Sequence, residues 1–211
     1  MKIKYLAHAC FLITADNGTT IITDPYETGD RLKYDEIQES ADIVTVSHEH
    51  FDHNNASAVR GNPAIVKETA TVKGTKLEGF PSYHDDVGGA KRGTNTIFCF
   101  EVDGVRVCRL GDLGHGLDDR QIAGLGKVDI LLIPVGGTFT IDAPAATLIC
   151  DQLKPKVVIP MHFRTDRGLP DVAVIEPFLE GKDNVSRLEV SEVEFKQFPS
   201  DTQIIVLKPA L

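Results

Sequence analysis

Four side chains able to bind a divalent metal ion fall within six consecutive residues: His48, His50, Asp52 and His53 in Ser47-His-Glu-His-Phe-Asp-His53. Along an extended segment, residues two apart point the same way. His48, His50 and Asp52 therefore converge while Glu49 and Phe51 face elsewhere, and His53 joins at the start of a helical turn. Imidazoles packed this closely repel one another when protonated, and a metal ion relieves the conflict by holding them in their deprotonated forms. A donor set of nitrogen and oxygen suits Zn²⁺ first and also admits Mn²⁺ or Fe²⁺. Metal-activated water is a nucleophile in its own right, so hydrolysis at such a site needs no serine or cysteine.

The cluster must be carried by rigid elements. The apolar, β-branched run Asp42-Ile-Val-Thr-Val-Ser47 directly before it is expected to be a buried strand. Upstream, Ile3–Leu6, Phe11–Thr14 and Thr20–Thr23 are expected to form an antiparallel start, the last two joined at Asn17-Gly18. Downstream strands are expected at Ile65–Val66, Lys76–Gly79, Thr96–Val102 and Val105–Leu110, with Asp103-Gly104 as a tight hairpin. Asp129–Val135 and Val157–Pro160 are too short and too apolar for surface helices and are expected to be interior strands. Helices are expected over Asp118–Leu125, Asp142–Leu153 with Asp142 as the cap, and Asp171–Leu179; final strands are expected near Arg187–Val190 and Gln203–Leu207. Hairpin strands first, then strands alternating with helices, imply an α/β chain of two sheets packed face to face with helices outside. No repeat or linker interrupts residues 1–211, which are expected to make a single domain.

The spacing His-x-His-x-Asp-His resembles the signature of the metallo-β-lactamase fold superfamily. Leu110-Gly-Asp-Leu-Gly-His115 and Pro160-Met-His162 resemble two of its later motifs. Ala7-His-Ala-Cys-Phe-Leu-Ile13 and Ile133-Pro-Val-Gly-Gly-Thr-Phe-Thr-Ile-Asp142 are similar to the branch that includes ascorbate-6-phosphate lactonase. The resemblance covers roughly Lys4 to Arg164. It implies a four-layer αββα sandwich with two mixed sheets and a dinuclear metal site at one edge. It also implies the ligand roles: His48, His50 and a third histidine on the first metal, Asp52, His53 and His162 on the second, and Asp112 bridging. His84, in Ser82-Tyr-His-Asp-Asp86, is taken as the third histidine because chain order puts that ligand before Asp112, and His115 is the competing candidate. Asp52, within the ligand set, and the two remaining histidines, His8 and His115, are the candidate catalytic side chains. His8 or His115 would donate a proton to the leaving group or steady a ligand. Arg92, in the glycine-rich Gly88–Gly93, and Arg164, two residues past His162, are the candidate anion grips.

Two divalent ions bring four positive charges, which Asp52, Asp112 and a bridging hydroxide reduce to one. The expected substrate is thus a small, anionic or carbonyl-bearing ester, lactone or phosphoester. A net charge of −9 with scattered basic residues argues against nucleic acid as a partner. No apolar stretch approaches the ~20 residues of a membrane span and no secretory leader pattern opens the sequence, so a cytoplasmic protein without a membrane partner is expected. Cys10, Cys99, Cys108 and Cys150 are widely spaced and are expected to be reduced, mostly buried thiols. Two other readings keep the same motif: a mononuclear iron enzyme similar to persulfide dioxygenases, and a non-catalytic metal-binding protein on the same fold.

Overall fold

The computed structural model describes every residue, Met1–Leu211. The expected antiparallel start is present as β1 (Lys2–Ala7), β2 (Cys10–Thr14) and β3 (Thr20–Thr23), and two parallel strands, β4 (Ile43–Thr45) and β5 (Ala64–Val66), extend the same sheet. The second sheet begins with the antiparallel strands β6 (Ala70–Val72), β7 (Thr75–Tyr83), β8 (Thr94–Val102) and β9 (Val105–Arg109). After α1 (Asp119–Leu125) it turns parallel: β10 (Ile130–Pro134), α2 (Ala143–Leu153), β11 (Val157–Met161), α3 (Glu176–Leu179) and β12 (Val185–Arg187). The chain then places β13 (Glu192–Glu194) on the first sheet and returns to the second with β14 (Gln203–Val206). The resulting orders are β13-β1-β2-β3-β4-β5 and β12-β14-β11-β10-β9-β8-β7-β6.

Alternation along the strands divides the apolar residues among three layers. On β8, Phe98 and Phe100 face the space between the sheets, where they meet Tyr5, Phe11 and Ile21 of the first sheet. Ile97 and Cys99, of opposite parity, face outward with Leu131 and Val158 under Leu125 of α1, Ile149 of α2 and Phe178 of α3. The outer face of the first sheet is covered differently. Leu6, Ile22 and Val44 are capped by Tyr26, Leu32, Tyr34 and Ile37, from a segment between β3 and β4 that has no helix. The two-sheet sandwich is as expected, while the helical layer is confined to one side of it.

Local signals account for most boundaries. Asp118 caps α1 in a reciprocal box with Gln121, and Asp142 caps α2 by accepting from the Ala145 amide at 3.0 Å. Asp103 and Gly104 both have positive φ, 53° and 74°, as the tight β8–β9 hairpin requires. The helix expected over Asp171–Leu179 is reduced to Glu176–Leu179, because Pro177 is tolerated only in a first turn. Residues before it are used otherwise: the Ala173 amide donates to the Gly136 carbonyl, and the Ala173 carbonyl accepts from Arg164. The strand expected near Arg187–Val190 ends at Arg187, and β6 and β13, three residues each, carry no alternation long enough to read. All four cysteines are free thiols, three of them buried. No helix is long and apolar enough to cross a membrane.

Because Phe100 is completely buried between the sheets, Phe100→Ala is expected to cost roughly 3–5 kcal/mol. The guanidinium unfolding midpoint should fall with little change in slope, and a cost below ~1 kcal/mol would show that this layer is not closely packed.

Candidate metal centre

The proposed ligands leave the strands at one edge of the sandwich. His48 to His53 follow β4, His84 follows β7, Asp112 follows β9 and His162 follows β11. His8 stands between β1 and β2 at the same edge, and Asp24 follows β3. In open sheets with parallel strands this is where loops diverge and a crevice forms. Two glycines let the loops approach. A Cβ on Gly114 would lie 2.4 Å from the carbonyl carbon of His84, and one on Gly136 would lie 2.1 Å from the His162 carbonyl oxygen.

Besides Asp24 with His48 and His53, two groups of donor atoms result, each with all members within 4.8 Å of one another: His48, His50 and His84, and His8, Asp52, His53 and His162. Asp112 stands between them. Its Oδ2 lies 3.4 Å from His84 Nε2 and 4.0 Å from His48 Nε2 on one side, and 3.2 Å from His53 Nε2 and 3.3 Å from His162 Nε2 on the other. The Nε2 atoms of His48, His53 and His162 and the Oδ1 of Asp112 are buried without a hydrogen-bond partner. Orphaned donors of this kind are costly unless something fills the space they face. Bound metal fits both their positions and their chemistry.

The charges are arranged accordingly. Burial alone would lower the His53 pKa, but the carboxylates of Asp112 and Asp52 overcome it and push the ring up to about 10. Burial and the neighbouring His53 charge push His48 down to about 3. Burial opposes ionisation of Asp112, yet the imidazoles of His162 and His53 hold it well below the usual carboxylate range. Without metal, the second group thus keeps a proton on His53, which a metal ion would displace.

Behind the ligands lies support that sequence reasoning missed. Asp24, fully buried, accepts from His53 Nδ1 at 2.7 Å, from the Ser47 amide at 2.8 Å and from the Ser47 hydroxyl. The Ser47 oxygen is in turn 2.9 Å from His48 Nδ1. Arg109, also fully buried, reaches Asp24 Oδ2 at 2.7 Å and balances its charge. The one local signal is a Ser immediately before the motif.

A cavity of about 380 Å³ opens on this edge, lined by His50, Asp52, His84 and Asp112 together with Arg31, Arg92 and Phe139, and also by Glu49 and Phe51, which strict alternation would have turned away from His50 and Asp52. Arg92 is there as expected, its guanidinium 5.2 Å from the Phe139 ring centroid. The Asp85 carboxylate fixes its loop by accepting the amides of Val87, Gly89, Lys91 and Arg92 at 2.7–3.0 Å. Arg31, from the segment after β3, was not expected at the site; it pairs with Asp171 at 2.7 Å.

Three expectations need correction. His115, expected to face the pocket as an acid, does not line this cavity. Its Nε2 accepts from the Tyr83 amide at 3.2 Å and its Nδ1 donates to the Gly116 carbonyl at 2.7 Å, so both ring nitrogens are spent on backbone. Arg164 is exposed and does not line the cavity. The chain turns at His162, φ 52°, which breaks the alternation that would have carried Arg164 beside it. His8 is buried against Asp52 and is absent from the cavity wall, which does not suit a donor to a leaving group.

Comparison with known proteins agrees with this geometry. The β-lactamase superfamily domain model matches residues 2–162. A UPF0173 metal-dependent hydrolase of Pelotomaculum thermopropionicum is 31% identical, covering 78% of this chain and 85% of its own. One from Thermococcus onnurineus is 27% identical over 99% of this chain and 97% of its own. The solved structure of a candidate zinc-dependent hydrolase of the metallo-β-lactamase superfamily from Thermotoga maritima superposes with a TM-score of 0.82 at 35% identity, covering 98% of this chain and 97% of that one. With its sandwich, its His/Asp edge and these relatives taken together, the chain belongs to the β-lactamase superfamily domain family and is a metal-dependent hydrolase of the metallo-β-lactamase superfamily.

Proposed function

We propose that this hydrolase works with two divalent ions, zinc first and manganese or iron second, on a small anionic ester, lactone or phosphoester. The observation that carries the dinuclear reading is the position of Asp112 Oδ2, which faces imidazoles of both donor groups at 3.2–4.0 Å. When bound, such ions supply Lewis-acid charge, polarising the bond under attack and acidifying water near neutral pH. His48, His50 and His84 would hold one ion, and Asp52, His53 and His162 the other. Asp24 keeps a proton on His53 Nδ1, and Ser47 does the same for His48, so both Nε2 lone pairs face inward. Arg92 and Arg31 stand at the mouth with Phe51 and Phe139. They would grip an anionic group while the aromatic rings cover the rest of a small substrate and exclude water. Free thiols suit a reducing compartment, and we assign the protein to the cytosol.

Elemental analysis of the purified protein, with a screen of p-nitrophenyl phosphodiesters, lactones and thioesters, tests the reading. About two transition-metal ions per chain are expected, and a fully loaded protein holding one would favour the mononuclear alternative. Arg92→Ala should raise KM for anionic substrates about tenfold or more while kcat and metal content hold. A loss confined to kcat would remove Arg92 from substrate binding.

Metal binding should also release protons. His53, with its pKa at about 10, is protonated at neutral pH and must lose that proton to coordinate, whereas His48, at about 3, is already neutral. Affinity is thus expected to rise about tenfold per pH unit across the neutral range and to level off once His53 is deprotonated. Calorimetry in buffers of different ionisation enthalpy should show at least about one proton released per chain; none would refute this charge arrangement.

A further inference from the structure

His8 is not among the superfamily ligands carried onto this chain, yet it meets one donor group at bonding separations. We propose that His8 is a protein ligand of the second metal ion, completing a shell of His8, Asp52, His53, His162 and the shared Asp112. The proposal rests on the dinuclear reading above.

Three observations support it. The first is spacing. His8 Nε2 lies 3.2 Å from Asp52 Oδ2, which lies 3.6 Å from His53 Nε2; Asp112 Oδ2 lies 3.2 Å from His53 Nε2 and 3.3 Å from His162 Nε2. Two donors each ~2.1 Å from one ion stand roughly 3.0–3.4 Å apart at octahedral or tetrahedral angles. The His8–Asp52 separation therefore falls in the same range as those between the other proposed ligands.

The second is how the backbone delivers the ring. The β1–β2 register shifts between Tyr5 and Ala7, and His8 follows with φ 55°, a left-handed conformation that a histidine adopts only where its surroundings hold it. Its carbonyl is clamped from two sides, by the Tyr5 hydroxyl at 2.8 Å and by the His162 amide at 2.9 Å. The His8 and His162 rings sit 4.3 Å apart, so backbone and side chain both tie these two residues together.

The third is access. His8 is 2% exposed and does not line the cavity, whereas His50 of the first group is exposed and does. A proton donor to a leaving group must face the substrate, while a ligand needs to face only the ion. Counting the shared Asp112 for both, the second site is then held by five protein donors and the first by four, so the first keeps more room for water or substrate.

Titration of metal-free protein with Zn²⁺, and separately with Co²⁺ followed by its d–d absorption, tests the assignment in the wild type and three variants. In His8→Ala one of two Zn²⁺ equivalents should weaken by more than the roughly 10- to 100-fold expected from losing a supporting hydrogen bond alone. His8→Glu, which restores a ligand but no donor, should recover that equivalent. His8→Gln, which can donate to Asp52 but ligates poorly, should not. The weak Co²⁺ absorption of a five- or six-coordinate ion should intensify in His8→Ala as coordination falls. Wild-type Zn²⁺ affinity in His8→Gln, or a Co²⁺ spectrum unchanged by His8→Ala, would overturn the proposal. Urea unfolding of each metal-free variant checks its fold. If His8→Ala does not fold, a wild-type Co²⁺ spectrum showing only four-coordinate ions overturns the assignment by itself. A wild type that takes up a single equivalent would refute the dinuclear reading, and its spectrum would still count the ligands around that ion.

Discussion

Everything at the metal edge depends on one buried ion pair, Asp24 with Arg109. Both are wholly inside the protein, at 2.7 Å, and removing either partner would strand a charge at a cost of about 3–5 kcal/mol. The pair keeps Asp24 ionised, so its oxygens can only accept. His53 must then present a proton on Nδ1, and Ser47, giving its proton to Asp24, must accept one from His48. One fixed charge thus decides which nitrogen of a histidine in each donor group is free to bind.

The same edge concentrates backbone conformations that most residues avoid. His8, Asp24 and His162 all have positive φ, 55°, 38° and 52°. Each directly or nearly follows a strand end, where the chain must turn sharply to aim a side chain back over the sheets. Such strain persists only when the surroundings over-determine it. Here the His162 amide on the His8 carbonyl and the Ser47 amide on Asp24 help to do so.

What could be read from the sequence follows from range. The ligands of His48–His53 share one short segment after a buried strand, and β8, β9, β10 and β11 announce themselves by alternation or continuous apolar runs. His84 was placed by chain order, and the geometry brings it, not His115, to His48 and His50. Arg31, Asp24 and Arg109 left no local trace because their meaning is a contact across 29 to 140 residues of chain. The segment between β3 and β4 was unreadable for a related reason. It covers the first sheet with Tyr26, Leu32, Tyr34 and Ile37 at irregular spacing, and burial without regular hydrogen bonding has no period.

The cavity wall is of two origins. Its floor includes His84 and Asp112, which stand within three residues of the ends of β7 and β9, while Arg31, Arg92 and Phe139 come from longer connecting segments. Heritable change can accordingly fall on the two parts separately. A substitution at the floor would remove a proposed metal ligand, whereas the rim could lengthen or exchange charge without touching those residues. A lineage built on this plan can acquire new substrates by altering loops alone, so kinship at the floor records common chemistry and says little about which molecule each descendant consumes.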